Sequence, residues 1–334
     1  MPRRPADVSR ALRYGLRAAA ATTTAPTATA APLFVIAGPC VIESERATLR
    51  TAERLARLSQ RLDVPVVFKA SFDKANRQSY ASYRGPGLGA GLEILRAVRE
   101  QFGEQLLLTT DIHEGAQADA VGDVVDIVQI PALLCRQTDL IAAAARTGRV
   151  VNLKRCPYVA PETMLHAARK VVHFAAASSP SESSSPSPPP PFSPSLPVML
   201  TDRGTALGYN DIVLDVRNLA AMRAEGALVV QDVCHAVQSS RVSSGAGVSS
   251  GGNRENVPVL ARAAAAAGVD GMFFETHHDP DAALCDRSTQ LPLGELEELV
   301  EEVLDIARAS RWRQRRGGRR LGEAEEQHVE QAVV

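Results

Sequence analysis

Eight short runs of apolar and β-branched residues recur along the chain: LFVIAG (33–38), VVFKAS (66–71), LLLTTD (106–111), VDIVQI (125–130), VVNLK (150–154), VMLTDR (198–203), LVVQDV (228–233) and GMFFET (271–276). Most are continuous rather than alternating, as expected of strands covered on both faces. Helix-like stretches separate most of them: ERATLRTAERLARLSQRL, GLEILRAVREQF, QTDLIAAAARTG, APETMLHAARKVVHFA and NVPVLARAAAAAG. Strands and helices in alternation build a parallel sheet with helices outside it. With eight strands the sheet can close, so the expected fold is α/β, a single-domain (β/α)8 TIM barrel; an open doubly wound sheet is the alternative. No GxGxxG follows the first strand, which argues against a dinucleotide site and leaves no organic cofactor indicated.

The catalytic barrel is expected over 32–309, interrupted by a low-complexity loop at 175–197 (AAASSPSESSSPSPPPPFSPSLP), whose Ser/Pro composition cannot bury apolar surface. Residues 1–31 carry five arginines against the single acid Asp7 before an Ala/Thr run, which reads as a disordered extension or a transit-like segment. Residues 310–334 form a charged tail. Thirty-seven basic residues against 38 acidic leave a net charge of −1, so no global field draws the chain to nucleic acid or anionic lipid. No apolar run reaches the roughly 20 residues of a membrane span, and five widely spaced cysteines argue for reduced thiols. The expected location is cytoplasmic, or plastid or mitochondrion if residues 1–31 are a transit peptide.

In a barrel, chemistry collects at the carboxyl ends of the strands. Here every strand ends in an abrupt switch from apolar to reactive side chains: Cys40 and Glu43, Lys69 and Ser71, Asp111 and His113, Gln129, Lys154, Asp202 and Arg203, Asp232 and His235, Glu275 and His277. A solvated charge opening a loop would explain any one of them, but not all eight. Lys69, Lys74, Arg77, Arg84, Lys154 and Arg203 would converge on one mouth, a cation density suited to two or three phosphate or carboxylate groups. Cys40, His235, Glu275 and Asp286 come from the first, seventh and eighth strand ends, which adjoin in a closed barrel. Mixed N, S and O ligands of this kind suit a catalytic divalent ion such as Zn, Fe or Mn.

The segments FVIAGPCVIES (34–44), FKASFDKANRQS (68–79), SYRGPGL (82–88), TDIHE (110–114), VQIPALLCRQTDL (128–140), NLKRCPYVAPETM (152–164), TDRGTALGYNDIVLDVR (201–217), QDVCHAVQ (231–238) and ETHHDPDAALCD (275–286) resemble the 3-deoxy-D-manno-octulosonate 8-phosphate synthase family, also called 2-dehydro-3-deoxyphosphooctonate aldolases. The resemblance runs from about Phe34 to Leu293. It implies condensation of phosphoenolpyruvate with arabinose 5-phosphate in a homotetramer, within the making of carbohydrate precursors of lipopolysaccharide or cell wall. It further implies that Lys69, Ser71, Lys74, Gln129, Lys154 and Arg203 bind phosphoenolpyruvate, and that Asn76 and Arg77 hold the sugar phosphate, with Arg77 reaching toward a neighbouring subunit's site. Asp111 would face the sugar hydroxyls. Cys40, His235, Glu275 and Asp286 fall at the ligand positions of the family's metal-dependent branch. Catalytic roles fall to Asp111, His235, Lys154 and Asp286, and the resemblance does not choose a general base among Asp111, His235 and a metal-bound hydroxide.

The chain departs from the family's pattern in five places. Gln78 replaces a small hydroxyl residue, Arg287 follows Asp286 where a small residue is common, Cys285 resembles the metal-independent branch while QLPL (290–293) resembles the metal-dependent one, no N-terminal hairpin plugging the barrel floor is recognisable in residues 1–31, and an insertion after the fifth helix is not typical. Two other readings compete. The related synthase using erythrose 4-phosphate typically has KPRTS where this chain has KANRQS. A barrel without turnover that binds sugar phosphate is the other, and the intact Lys69, Lys154, Arg203 and Asp111 count against it.

Overall fold

The computed structural model describes residues 1–14, 33–77, 79–176, 198–206, 211–223, 226–239 and 251–310. Gln78, most of the Ser/Pro-rich segment and the tail from 311 lie outside the described residues. Eight parallel strands form the sheet: β1 (Phe34–Gly38), β2 (Val66–Lys69), β3 (Leu106–Asp111), β4 (Ile127–Ile130), β5 (Val150–Lys154), β6 (Val198–Asp202), β7 (Leu228–Asp232) and β8 (Gly271–His277). Each pairs with the next, and β1 pairs with β8 through Phe34 to Gly271 and Gly38 to Glu275, so the sheet is closed and the doubly wound alternative is excluded. Around the barrel stand α2 (Glu45–Leu62), α3 (Leu88–Phe102), α4 (Ala118–Gly122), α5 (Thr138–Arg146), α6 (Pro161–Ala176), α7 (Val216–Arg223), α8 (Val257–Ala267) and a last helix, 296–310.

Alternation along each strand divides the side chains into two apolar layers. Leu33, Val35, Ala37, Val66, Phe68, Leu106, Leu108, Leu153 and Phe274 face the helices. Phe34, Ile36, Val67, Leu107, Ile127, Val150, Met199, Val230 and Phe273 fill the barrel axis. The same inward parity carries on to Lys69, Asp111, Gln129, Lys154, Asp232 and Glu275, all buried at the upper end. The axis is therefore apolar below and ionic above. Gly38 allows β1 to end against β2, because a Cβ there would lie 2.0 Å from the Lys69 carbonyl oxygen.

The expectation of a disordered N-terminal extension is corrected for its first residues. Pro5–Tyr14 form helix α1, and Val8, Ala11 and Leu12 are buried against the apolar axis residues at the barrel floor. An acid-poor segment with apolar residues at positions 8, 11 and 12 is as suitable for an amphipathic plug as for a leader. Polar clamps hold it: the Arg3 amide donates to Asp126 at 2.7 Å, its guanidinium donates to the Gly103 carbonyl at 2.7 Å, and Arg149 donates to the Arg3 carbonyl at 3.2 Å.

Candidate active site

At the carboxyl end of the barrel lies a cavity of about 650 Å³. All but a few of the expected site residues line it: Lys69, Lys74, Asn76, Arg77, Asp111, Gln129, Lys154, Arg203, His235 and Asp286, with His113 beside Asp111. Ser71, Cys40 and Glu275 are fully buried beside them. Arg84 is the exception among the expected cations: its guanidinium pairs with Asp73 at 2.8 and 2.5 Å within the loop and does not reach the cavity.

On one side of the cavity, Lys69 Nζ donates to Ser71 Oγ at 2.9 Å and to the Cys40 carbonyl at 3.2 Å, and Ser71 Oγ donates to Asp111 Oδ1 at 2.5 Å. Burial would raise the Asp111 carboxyl, but the Lys69 charge and the His113 hydrogen bond outweigh it and hold the group well below the usual carboxylate range. Asp111 is thus an ionised acceptor. Lys74 shows the converse balance: burial opposes its charge, while the Cys40, Glu275 and Cys285 side chains raise it well above an ordinary lysine.

The other side is organised by Asp232, which the sequence reading noted without assigning it a role. It accepts from the His235 amide at 2.9 Å and stands 2.7 Å from His235 Nδ1 and 2.6 Å from Lys154 Nζ. Burial would raise this carboxyl, and the His235 and Lys154 charges drive it far down instead. With Nδ1 facing a carboxylate, His235 turns Nε2 toward Glu275 Oε1 at 3.6 Å and Asp286 Oδ2 at 3.7 Å. A carboxylate behind one ring nitrogen orients the other as a metal ligand. Lys154 is lowered by burial and by the Arg203 and Lys69 charges. The Asp-x-x-His spacing of 232 to 235 was the available signal for this pairing.

The four expected ligands fall in two overlapping triplets, His235, Glu275 and Asp286, and Cys40 and Asp286 together with Cys285, which was not among them. Within each triplet the ligand atoms lie within 4.8 Å of one another. Asp286 is shared between them and holds φ 45°, a left-handed backbone that aspartate tolerates better than most residues. Both carboxylate oxygens of Glu275 are buried without a hydrogen-bond partner among the described residues. Lys69 and Lys74 Nζ stand 3.7 and 3.9 Å from Oε1, beyond hydrogen-bond distance, so these oxygens keep room for a cation and the donor set fits a divalent ion. Burial pushes the Cys40 thiol up, which means that an ion entering would displace its proton.

A second residue unassigned from the sequence is Arg155. Its guanidinium is buried against Asp202 at 3.0 and 3.1 Å and donates to the Val159 and Gly204 carbonyls at 2.6 and 2.9 Å. It braces the turn that carries Arg203, whose own guanidinium donates to Gln238.

The sequence model of the DAHP synthetase I family matches residues 21–310. The chain is 46% identical over 288 residues to 2-dehydro-3-deoxyphosphooctonate aldolase 1 of Arabidopsis thaliana, covering 86% of this chain and 92% of that protein. It is 49% identical over 275 residues to 2-dehydro-3-deoxyphosphooctonate aldolase of Syntrophotalea carbinolica, covering 82% and 91%, and 45% identical over 282 residues to that of Pisum sativum, covering 84% and 90%. With a closed barrel, a cationic mouth and these relatives along most of its length, the chain belongs to the DAHP synthetase I family and, within it, to the 2-dehydro-3-deoxyphosphooctonate aldolases.

Proposed function

We propose that the chain condenses phosphoenolpyruvate with D-arabinose 5-phosphate and water, giving 3-deoxy-D-manno-octulosonate 8-phosphate and phosphate. The observation that carries this reading is the convergence of Lys69, Lys74, Arg77, Lys154 and Arg203 on one cavity of about 650 Å³. That volume suits two small phosphorylated reactants, and the cations come from both of its sides.

In the reaction, the methylene carbon of phosphoenolpyruvate bonds to the aldehyde carbon, water adds at the former enol carbon, and phosphate leaves with carbon–oxygen cleavage. Lys69, Lys154 and Arg203, with Ser71, Lys74 and Gln129, hold the phosphate and carboxylate of phosphoenolpyruvate. Asn76 and Arg77, on the loop after β2, hold the sugar phosphate. Asp111, kept ionised by Lys69, accepts hydrogen bonds from the sugar hydroxyls. Lys154, whose proton is loosened by burial and by neighbouring cations, can pass a proton to the departing phosphate and recover one from the water that adds, with Asp232 at 2.6 Å holding its ammonium in place. Holding both anions in reacting register is worth roughly 7–11 kcal/mol in well-oriented systems.

Cys40, His235, Glu275 and Asp286 would hold a divalent ion, zinc, iron or manganese, which when bound supplies Lewis acidity toward the aldehyde oxygen or orients the attacking water. His235 is then a ligand rather than a free base. We also read the chain as a homotetramer, as its resemblance implies, and mass photometry of the purified protein tests this. We read the chain as cytoplasmic, with plastid or mitochondrion the alternative if residues 1–31 are a transit peptide; fractionation of cells making the full chain tests this.

The decisive assay measures phosphate release from phosphoenolpyruvate with arabinose 5-phosphate or with erythrose 4-phosphate, each with and without a chelator. Release with the pentose phosphate and loss under the chelator support the reading. Preference for the tetrose assigns the related synthase instead, and no release with either leaves a binding barrel.

A further inference from the structure

We propose that Cys285 is a second sulfur ligand of the divalent ion, an inference that rests on the metal reading above. Cys285 is nearly fully buried on the loop after β8, and its Sγ lies 3.0 Å from Cys40 Sγ. Cys40 Sγ in turn lies 3.2 Å from Asp286 Oδ2, so the two sulfurs and one carboxylate oxygen close a compact face. Among the described residues, this triplet satisfies mutual ligand spacing as fully as the His235, Glu275 and Asp286 triplet does.

A zinc–sulfur bond is about 2.3 Å, so two thiolates on one ion stand about 3.8 Å apart in tetrahedral geometry. Opening the present separation to that value takes under about 1 Å of movement, within the reach of one side-chain rotation. Arg77 fixes the position of this sulfur: it places a guanidinium nitrogen 2.8 Å from Cys285 Sγ and donates to the Leu284 carbonyl at 3.1 Å. Arg77 thereby ties the sugar-phosphate side of the cavity to the ion's coordination shell.

Two thiolates make a softer site than one, which favours zinc or ferrous iron over manganese. Asp286, shared by both triplets, would let one ion draw on Cys40 and Cys285 from one side and on His235 and Glu275 from the other.

The test is an anaerobic cobalt(II) titration of the metal-free full chain under a phosphine reductant, read by thiolate-to-cobalt charge transfer in the near ultraviolet. Wild type should bind one cobalt per chain, with a band about twice as intense as that of Cys285→Ser or Cys40→Ser. Competition against a chromophoric chelator should show each variant binding at least ~10-fold more weakly. Circular dichroism and thermal melting verify that both variants fold, and Cys285→Ala serves as a second variant if the serine form does not. An unchanged band and affinity in folded Cys285→Ser, beside a reduced band in Cys40→Ser, overturns the proposal while leaving the metal reading intact. Failure of the wild type to take up cobalt overturns both.

Discussion

Arg155 is among the most demanding single residues of the chain, because its guanidinium is enclosed and is held by the Asp202 carboxylate and the Val159 and Gly204 carbonyls. Removing one partner of such a pair leaves an uncompensated charge. Arg155→Met should therefore destabilise the protein by about 3–5 kcal/mol in urea unfolding, and should weaken phosphoenolpyruvate binding through the Arg203 turn even where the variant still folds. Asp111 makes a different prediction. Its folded carboxyl is depressed while its unfolded value is about 3.9, so its contribution to stability is complete above that value and lost as pH falls through the folded one. The stability difference between wild type and Asp111→Asn should be flat from pH 8 to about 5 and shrink only in stronger acid; a difference that vanishes near neutrality would contradict the Lys69 pairing. At the ion, Cys40→Ala should abolish metal retention and most turnover, read by metal analysis after dialysis beside phosphate release. Full turnover of a metal-stripped variant would end that assignment.

At the scale of elements, strands and plug divide the work. Six strands supply apolar residues to the axis and then a buried polar residue at the upper end, Lys69, Asp111, Gln129, Lys154, Asp232 or Glu275, a pattern that parity imposes once the first inward residue is chosen. Helix α1 closes the other end. Val8→Asp would set a carboxylate into the apolar cluster that α1 shares with the barrel axis, so α1 should undock. The loss is limited to the docking energy of one short helix, a few kcal/mol, and should appear as a lower melting temperature and rapid proteolysis before residue 33. Eight strands and most helices were legible because a local period of 2 or 3.6 is written in consecutive residues. The plug was not, since its buried apolar residues Val8, Ala11 and Leu12 make too short a pattern, and an Arg-rich amphipathic segment reads equally as a leader.

For the whole molecule, a net charge of −1 coexists with a mouth carrying five cations, so the attraction for anions is local and focused by low-dielectric walls. The kcat/KM for phosphoenolpyruvate should fall as ionic strength rises from about 0.01 to 0.15 M, where the screening length contracts from about 30 to 8 Å. Far-UV circular dichroism and melting temperature should hold steady over the same range. The chain by itself determined the barrel, the end of the barrel that carries chemistry and the anionic character of the reactants, because these follow from the order of apolar and charged residues along each short segment. Only the tertiary structure decided which of those charges meet. Arg84 turned to Asp73, Asp232 came to organise His235 and Lys154, and Cys285 met Cys40 across 245 positions of sequence. Closure of β8 onto β1 makes the last of these contacts, and no local pattern encodes a distance set by the closing of a ring.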